Sequence, residues 1–181
     1  MLARLPRGGM DPYVEVCHRF AEDGIRYVLV GVFGINFYAR QVGEIITTAD
    51  CDILIPAEFP IFQKALQVLA DMKFELEAGG EPLPAPDPVI LKGILRARAV
   101  VRADRADARV DLCTQIAGVR FSELWKNCRE FVAEGVTIPV GRLQQLIKSK
   151  RIANRPKDAL FLEQHKETIE AMLRRRTQGR P

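Results

Sequence analysis

The chain has 181 residues, 48% hydrophobic and 28% charged, a composition that supports a buried core and excludes a disordered, collagen-like or disulfide-scaffolded chain. Lys and Arg number 27 against 23 Asp and Glu, a net charge of +4, which permits a phosphate-bearing partner without requiring one. No apolar run reaches the roughly 18 residues that a membrane span needs.

Residues 1–10 lack the apolar centre of a secretory signal and read as a flexible leader, with Met10 an alternative start. Residues 11–181 read as a single domain. Cys17, Cys51, Cys113 and Cys128 form no C-x-x-C pair, and His18 and His165 do not complete one. Structural zinc is therefore not expected; buried or half-buried thiols in a reducing cytoplasm are.

Asp11-Pro12 opens a helix, a capping acid followed by proline at the first helical position. Tyr13, Val16, Cys17 and Phe20 continue it at helical spacing, and Gly24 ends it. Ile25–Val30 reads as a strand, Gly31–Gly34 as its break, Phe33–Arg40 as a short helix and Ala49–Pro56 as a second strand. Glu58–Met72 has an amphipathic helical pattern, and Phe74 and Leu76 suggest a short strand. Gly79–Pro88, with two glycines and four prolines, reads as a mobile loop. Val89–Val101 looks extended; Asp104–Asp107 is a turn into a strand over Arg109–Cys113. Phe121–Asn127 reads as a short helix and Phe131–Val140 as a hairpin around Glu134-Gly135. Helices close the chain from about residue 141: Gly141–Ile152, then one long helix over Pro156–Arg176 with Leu160, Leu162, Ile169, Met172 and Leu173 inward. The fold class is α/β (α+β): a mixed sheet with packed helices and a helical C-terminal part.

The informative chemistry is acidic. In a strand, residues two apart share a face, so Asp50 and Asp52 point one way, and Cys51, Ile53 and Ile55 the other. Asp is disfavoured within strands and like charges repel, so such a pair fits a bound cation; carboxylates are the hard ligands that Mg²⁺ takes together with substrate phosphates. A strand already ending, with Asp50 a loop cap and Asp52 solvated, fits the spacing too. Arg109-Val110-Asp111-Leu112-Cys113 is a second strand interrupted by an acid. If it lies beside the first, three carboxylates converge and can hold two divalent ions; otherwise Asp111 is a solvated residue paired with Arg109. Neither histidine lies near an activated nucleophile in sequence, and Gly31-Val32-Phe33-Gly34 lacks the continuation of a P-loop.

The ordered set Val28-Leu29-Val30-Gly31, Thr48-Ala49-Asp50-Cys51-Asp52 and Val110-Asp111-Leu112 resembles the polymerase-β-type nucleotidyltransferase superfamily. The ending Leu143, Leu146, Ile147, Lys150 and Arg155-Pro156-Lys157-Asp158 resembles its small prokaryotic branch, which includes AbiEii-type toxins. The resemblance implies the polymerase-β-like nucleotidyltransferase fold and a nucleoside triphosphate held with two Mg²⁺, Mn²⁺ being an alternative. Asp50, Asp52 and Asp111 would be the catalytic metal ligands, with Asp111 also helping to deprotonate the acceptor hydroxyl. Gly31, Val32, Thr48, Lys150 and Lys157 would line the nucleotide and phosphate site; two solvated lysines on helices is the other reading of Lys150 and Lys157. Asp158 reads as a first-turn acid complementing its helix dipole.

The implied activity is transfer of a nucleoside monophosphate to an acceptor hydroxyl on RNA, a protein or a small molecule, with an antitoxin-like protein as a further partner. Basic residues Lys148, Lys150, Arg151, Arg155, Lys157 and Arg174-Arg175-Arg176 favour RNA electrostatically, although no aromatic platform for bases is evident. Three positions depart from the pattern: Val32 replaces Gly or Ser, Ile46 replaces a common Arg, and Phe161 follows Ala159-Leu160 where a second acid is usual. The alternative function is therefore a catalytically weak or inactive nucleotidyltransferase-like module that binds nucleotide, RNA or protein.

Overall fold

A computed structural model describes residues 9–83 and 87–178, with side chains through residue 175. The expected leader lies almost wholly outside the described residues.

Helix α1 (Pro12–Glu22) starts where the Asp-Pro signal places it: the Asp11 carboxylate accepts hydrogen bonds from the Tyr13 and Val14 N–H groups. Strand β1 is only Val28–Leu29, because Val30 already caps α2 (Gly31–Ala39), and a 3₁₀ turn (Arg40–Val42) follows. Strand β2 (Cys51–Leu54), helix α3 (Phe59–Asp71) and strand β3 (Glu75–Ala78) match expectation closely.

The next segment departs from it. Part of the expected loop is strand β4 (Glu81–Pro82), which folds back on β3 through Gly79-Gly80, both at positive φ (63° and 87°). This is the two-residue turn that glycine permits. Most of Val89–Val101 is not extended: α4 spans Pro88–Ala97, with the Asp87 carboxylate accepting from the Val89 and Ile90 N–H groups. The Asp-Pro cap that opens α1 thus recurs, and it outweighs the strand propensity of the β-branched run. Strands β5 (Val101–Arg105) and β6 (Ala108–Cys113) form the anticipated hairpin. Helix α5 (Phe121–Asn127) and the hairpin of β7 (Arg129–Ala133) with β8 (Val136–Val140) follow as read.

Helix α6 covers Leu143–Ala153. The expected long final helix is two, α7 (Pro156–Gln164) and α8 (Lys166–Gln178), broken at His165 (φ −110°). The break lets α7 lie against α6 while α8 buries Ile169 and Met172 beside α2. Leu160, expected inward, is 57% exposed; Leu162 and Leu173 are half-buried.

The strands form one mixed sheet, ordered β4-β3-β5-β6-β2-β1-β8-β7. The β2–β6 and β1–β8 pairs are parallel and the others antiparallel. Cys51, Ile53, Val110 and Leu112 are fully buried, so one face of β2 and β6 is apolar and the other carries the acids. All four cysteines are free, three buried and Cys128 half-buried. No helix among the described residues is long and apolar enough to cross a membrane.

The loop into β2 is pinned by a buried amide. Asn36 Nδ2 donates to the Ile46 carbonyl (2.6 Å), and Asn36 Oδ1 accepts from the Ile46 N–H (2.8 Å). Asn36→Ala leaves both backbone groups without these partners, and the expected cost is about 2–4 kcal/mol. Urea unfolding checks this; a loss below about 0.5 kcal/mol would show that the tie is dispensable.

Candidate active site

The parallel pairing of β2 with β6 places Asp52 directly opposite Asp111. They border a cleft of about 690 Å³ whose walls are the β1–α2 junction, the loop before β2 and helices α6 and α7. Gly31, Val32, Thr48, Asp50, Asp52, Asp111, Lys150 and Lys157 all line it. The cleft therefore gathers every residue that the resemblance assigns to the metal and nucleotide site.

Asp52 is set by backbone geometry. The Val30 N–H donates to the Asp52 carbonyl (3.0 Å), bringing the start of α2 against β2. Gly31 has φ +61°, and a Cβ there would stand 1.9 Å from Asp52 Oδ2. Both the dihedral and the contact require glycine. In this structure Gly31 makes room for the carboxylate itself.

Burial first, and then the neighbouring Asp111 charge, push the Asp52 carboxyl up to about 6, while Lys150 and Lys157 pull the other way.

Asp50 precedes the strand. The Thr48 hydroxyl donates to its carbonyl (3.3 Å) and accepts from its N–H (3.4 Å), so Thr48 shapes the approach of Asp50. Asp50 Oδ1 is buried without a hydrogen-bond partner; Arg109 Nη1 stands 3.9 Å away, an ion-pair contact only.

Asp111 is not paired with Arg109. Arg102 Nε, from β5, donates to Asp111 Oδ1 at 3.1 Å, and Arg109 turns to Asp104 at 2.6 Å. Arg102 lies directly across the hairpin from Asp111, whereas Arg109 is two residues away on the same strand. Counting outward from the two-residue turn identifies Arg102, a register argument that the motif alone does not supply.

Asp158 is more than a first-turn acid. It is 1% exposed; Lys150 Nζ (3.1 Å) and Arg155 Nε (2.6 Å) converge on it. Burial disfavours its charge, but these two cations outweigh burial and hold its carboxyl below the ordinary value. Lys150 is accordingly no solvated lysine, with its side chain 13% exposed, whereas Lys157 is exposed on α7.

Two departures from the expected pattern also find physical reasons. Ile46 is a core residue held by Asn36 and does not reach the cleft lining. Phe161 lines the cleft, with Lys150 Nζ 4.6 Å from its ring centroid. An aromatic surface thus lines the cleft, although no aromatic platform was evident from spacing.

Hard oxygen donors suit a divalent cation, and the orphaned Asp50 Oδ1 is a buried acceptor that such an ion would satisfy. Among the described residues no three acid, Cys or His side chains stand close enough to hold a metal alone. Asp111 leans to Arg102 and Asp50 towards Arg109. The donor set therefore fits Mg²⁺ shared with phosphate oxygens, which needs only one or two carboxylates.

The raised Asp52 carboxyl has a consequence for stability. Between its ordinary 3.8 and about 6, the folded chain keeps a proton that the unfolded chain releases. This contribution is full below about pH 4 and is lost as pH rises through 6. Asp52→Asn is expected to be more stable than the parent at pH 7.5 by about 2 kcal/mol, with the difference vanishing near pH 4. Denaturant unfolding at both pH values is the measurement; equal differences at the two would refute the assignment.

No family model matches the chain, and neither does any curated protein. Among solved structures, the chain is similar to the solution structure of the antibiotic-resistance factor ANT(2'')-Ia, at 15% identity and a TM-score of 0.50. The likeness covers 93% of this chain and 95% of that one. It extends over nearly the whole of both, and the fold is that of the polymerase-β-like nucleotidyltransferases.

Proposed function

We propose that the protein is a metal-dependent nucleotidyltransferase that moves a nucleoside monophosphate from a nucleoside triphosphate to an acceptor hydroxyl. The observation that carries this reading is Asp52 opposite Asp111 on adjacent strands, with Asp50 at the mouth of the same cleft. A fold has no structural use for paired, partly desolvated carboxylates, and the Asp111 charge adds to the cost of ionising Asp52.

In this reading Asp50 and Asp52 would hold Mg²⁺ together with the triphosphate, and Asp111 would complete the metal-binding set. When bound, the ions would lower the charge on the phosphates and favour loss of the hydroxyl proton. In the same reading Asp111 orients the acceptor and receives that proton. The oxygen then attacks the α-phosphorus, and pyrophosphate leaves. Lys157, on the rim, meets the departing phosphates, and Gly31 and Val32 at the start of α2 line the same region. Lys150 is shared with Asp158 and acts from a fixed place.

Arg102 pairs with Asp111, and Val32 keeps a branched side chain at the start of α2. These observations favour a second reading, a module that binds nucleotide without transferring it. The antibiotic resistance of the structural neighbour favours a small-molecule acceptor over RNA or protein. An antitoxin-like partner rests on sequence resemblance alone.

The test is mass spectrometry of small-molecule, RNA and protein pools after incubation with each triphosphate and Mg²⁺. A gain of one nucleoside monophosphate on an acceptor is expected. Asp111→Asn should reduce transfer by at least about 100-fold while changing triphosphate affinity less than about threefold. Lys157→Met should weaken triphosphate binding several-fold. Nucleotide binding without any transfer would establish the second reading, and absence of both would remove the first.

A further inference from the structure

A second cavity, of about 900 Å³, is larger than the acid cleft and shares no lining residue with it. It lies where the C-terminal end of α1, the segment entering β1, the end of α5 and the β7–β8 hairpin meet. Its floor is apolar and aromatic: Ile25, Tyr27 and Tyr38 are 4%, 2% and 6% exposed. Its rim carries Arg26, Lys126, Arg129 and Arg142 against a single carboxylate, Glu130.

The rim cations differ in what already engages them. Arg26 pairs with Glu58 at 2.8 Å, and Arg142 Nε donates to the Asn127 carbonyl at 2.6 Å. Among the described residues, no carboxylate comes within ion-pair distance of Lys126 or Arg129. The Arg129 guanidinium lies over the rings of Phe131 (4.9 Å) and Tyr38 (5.7 Å). Stacking fixes the plane of a guanidinium and leaves its edge N–H donors available. Trp125, on the lining, is itself held by stacking on Phe121, with centroids 6.0 Å apart and planes 13° apart. Ring and charge are therefore both positioned before any ligand arrives.

We infer that this cavity is a binding site for a small organic anion that carries a flat ring. A bare inorganic anion would leave the aromatic floor wet, and a neutral ring would leave Lys126 and Arg129 unpaired. Only a ligand with both parts uses the floor and the rim together. The site serves no step of the transfer chemistry and stands or falls independently of it.

Trp125 is the only tryptophan in the chain, so one indole N–H resonance reports directly on the cavity. Naphthalene sulfonate supplies ring and charge, naphthol the ring, and inorganic sulfate the charge. The sulfonate should shift that resonance saturably, and calorimetry should find naphthol and sulfate each at least about tenfold weaker. Arg129→Gln and Lys126→Gln, both exposed positions, should each weaken the sulfonate several-fold while the rest of the amide spectrum stays in place. Asp52→Asn should leave sulfonate binding unchanged. The inference is overturned if naphthol binds as tightly as the sulfonate, if no probe moves the indole resonance, or if neither rim substitution matters. Loss of binding in Asp52→Asn would place the probe in the acid cleft and overturn it equally.

Discussion

Two carboxylates that face each other across adjacent strands repel, and nothing about a sheet requires them there. The parallel register of β2 on β6 imposes this arrangement on Asp52 and Asp111. Much of the surrounding structure answers it. Arg102 draws Asp111 aside, Lys150 and Lys157 offset part of the charge on Asp52, and burial leaves Asp52 holding its proton to about pH 6. The other faces of the same strands are fully apolar, so the register cannot slip by one residue without burying the acids and exposing Cys51, Ile53 and Leu112.

The backbone around Asp52 is equally constrained. A single residue separates β1 from α2: Val30, which is both bonded to the Asp52 carbonyl and the cap of the helix. Gly31 takes a left-handed dihedral to make that junction, and Asp52 packs where a side chain would otherwise be. Gly34, one turn further, brings α2 close to the Leu29 carbonyl, 3.0 Å from where its Cβ would stand. Asn36 in the same helix then fixes the loop that delivers Asp50. One short helix thereby sets the position of two acids.

What the sequence revealed follows the physics of local signals. The Asp11-Pro12 cap, the Glu134-Gly135 turn and the alternation around Asp50, Asp52 and Asp111 each act over a few residues and were legible. So was the set of positions that meet in the cleft, through resemblance more than through periodicity. Helix α4 was missed because Val89, Ile90 and Leu91 read as strand, although Asp87-Pro88 repeats the α1 cap. The break at His165 arises from where α7 and α8 dock, which no local pattern encodes. Arg102 beside Asp111 and Ile46 in the core depend on cross-strand register and on a long-range amide tie. Both lie beyond the reach of a motif.

Lys150 belongs at once to the cleft and to the packing of α7 on α6, because its ammonium helps to neutralise the buried Asp158. A ligand that draws on this cation withdraws it in part from Asp158, leaving Arg155 to carry more of the compensation. The docking of α7 and the occupancy of the cleft are then thermodynamically linked, and linkage is reciprocal: whatever loosens α7 alters affinity in the cleft by the factor with which the ligand alters α7. Through one shared charge, the C-terminal helices become part of the binding equilibrium.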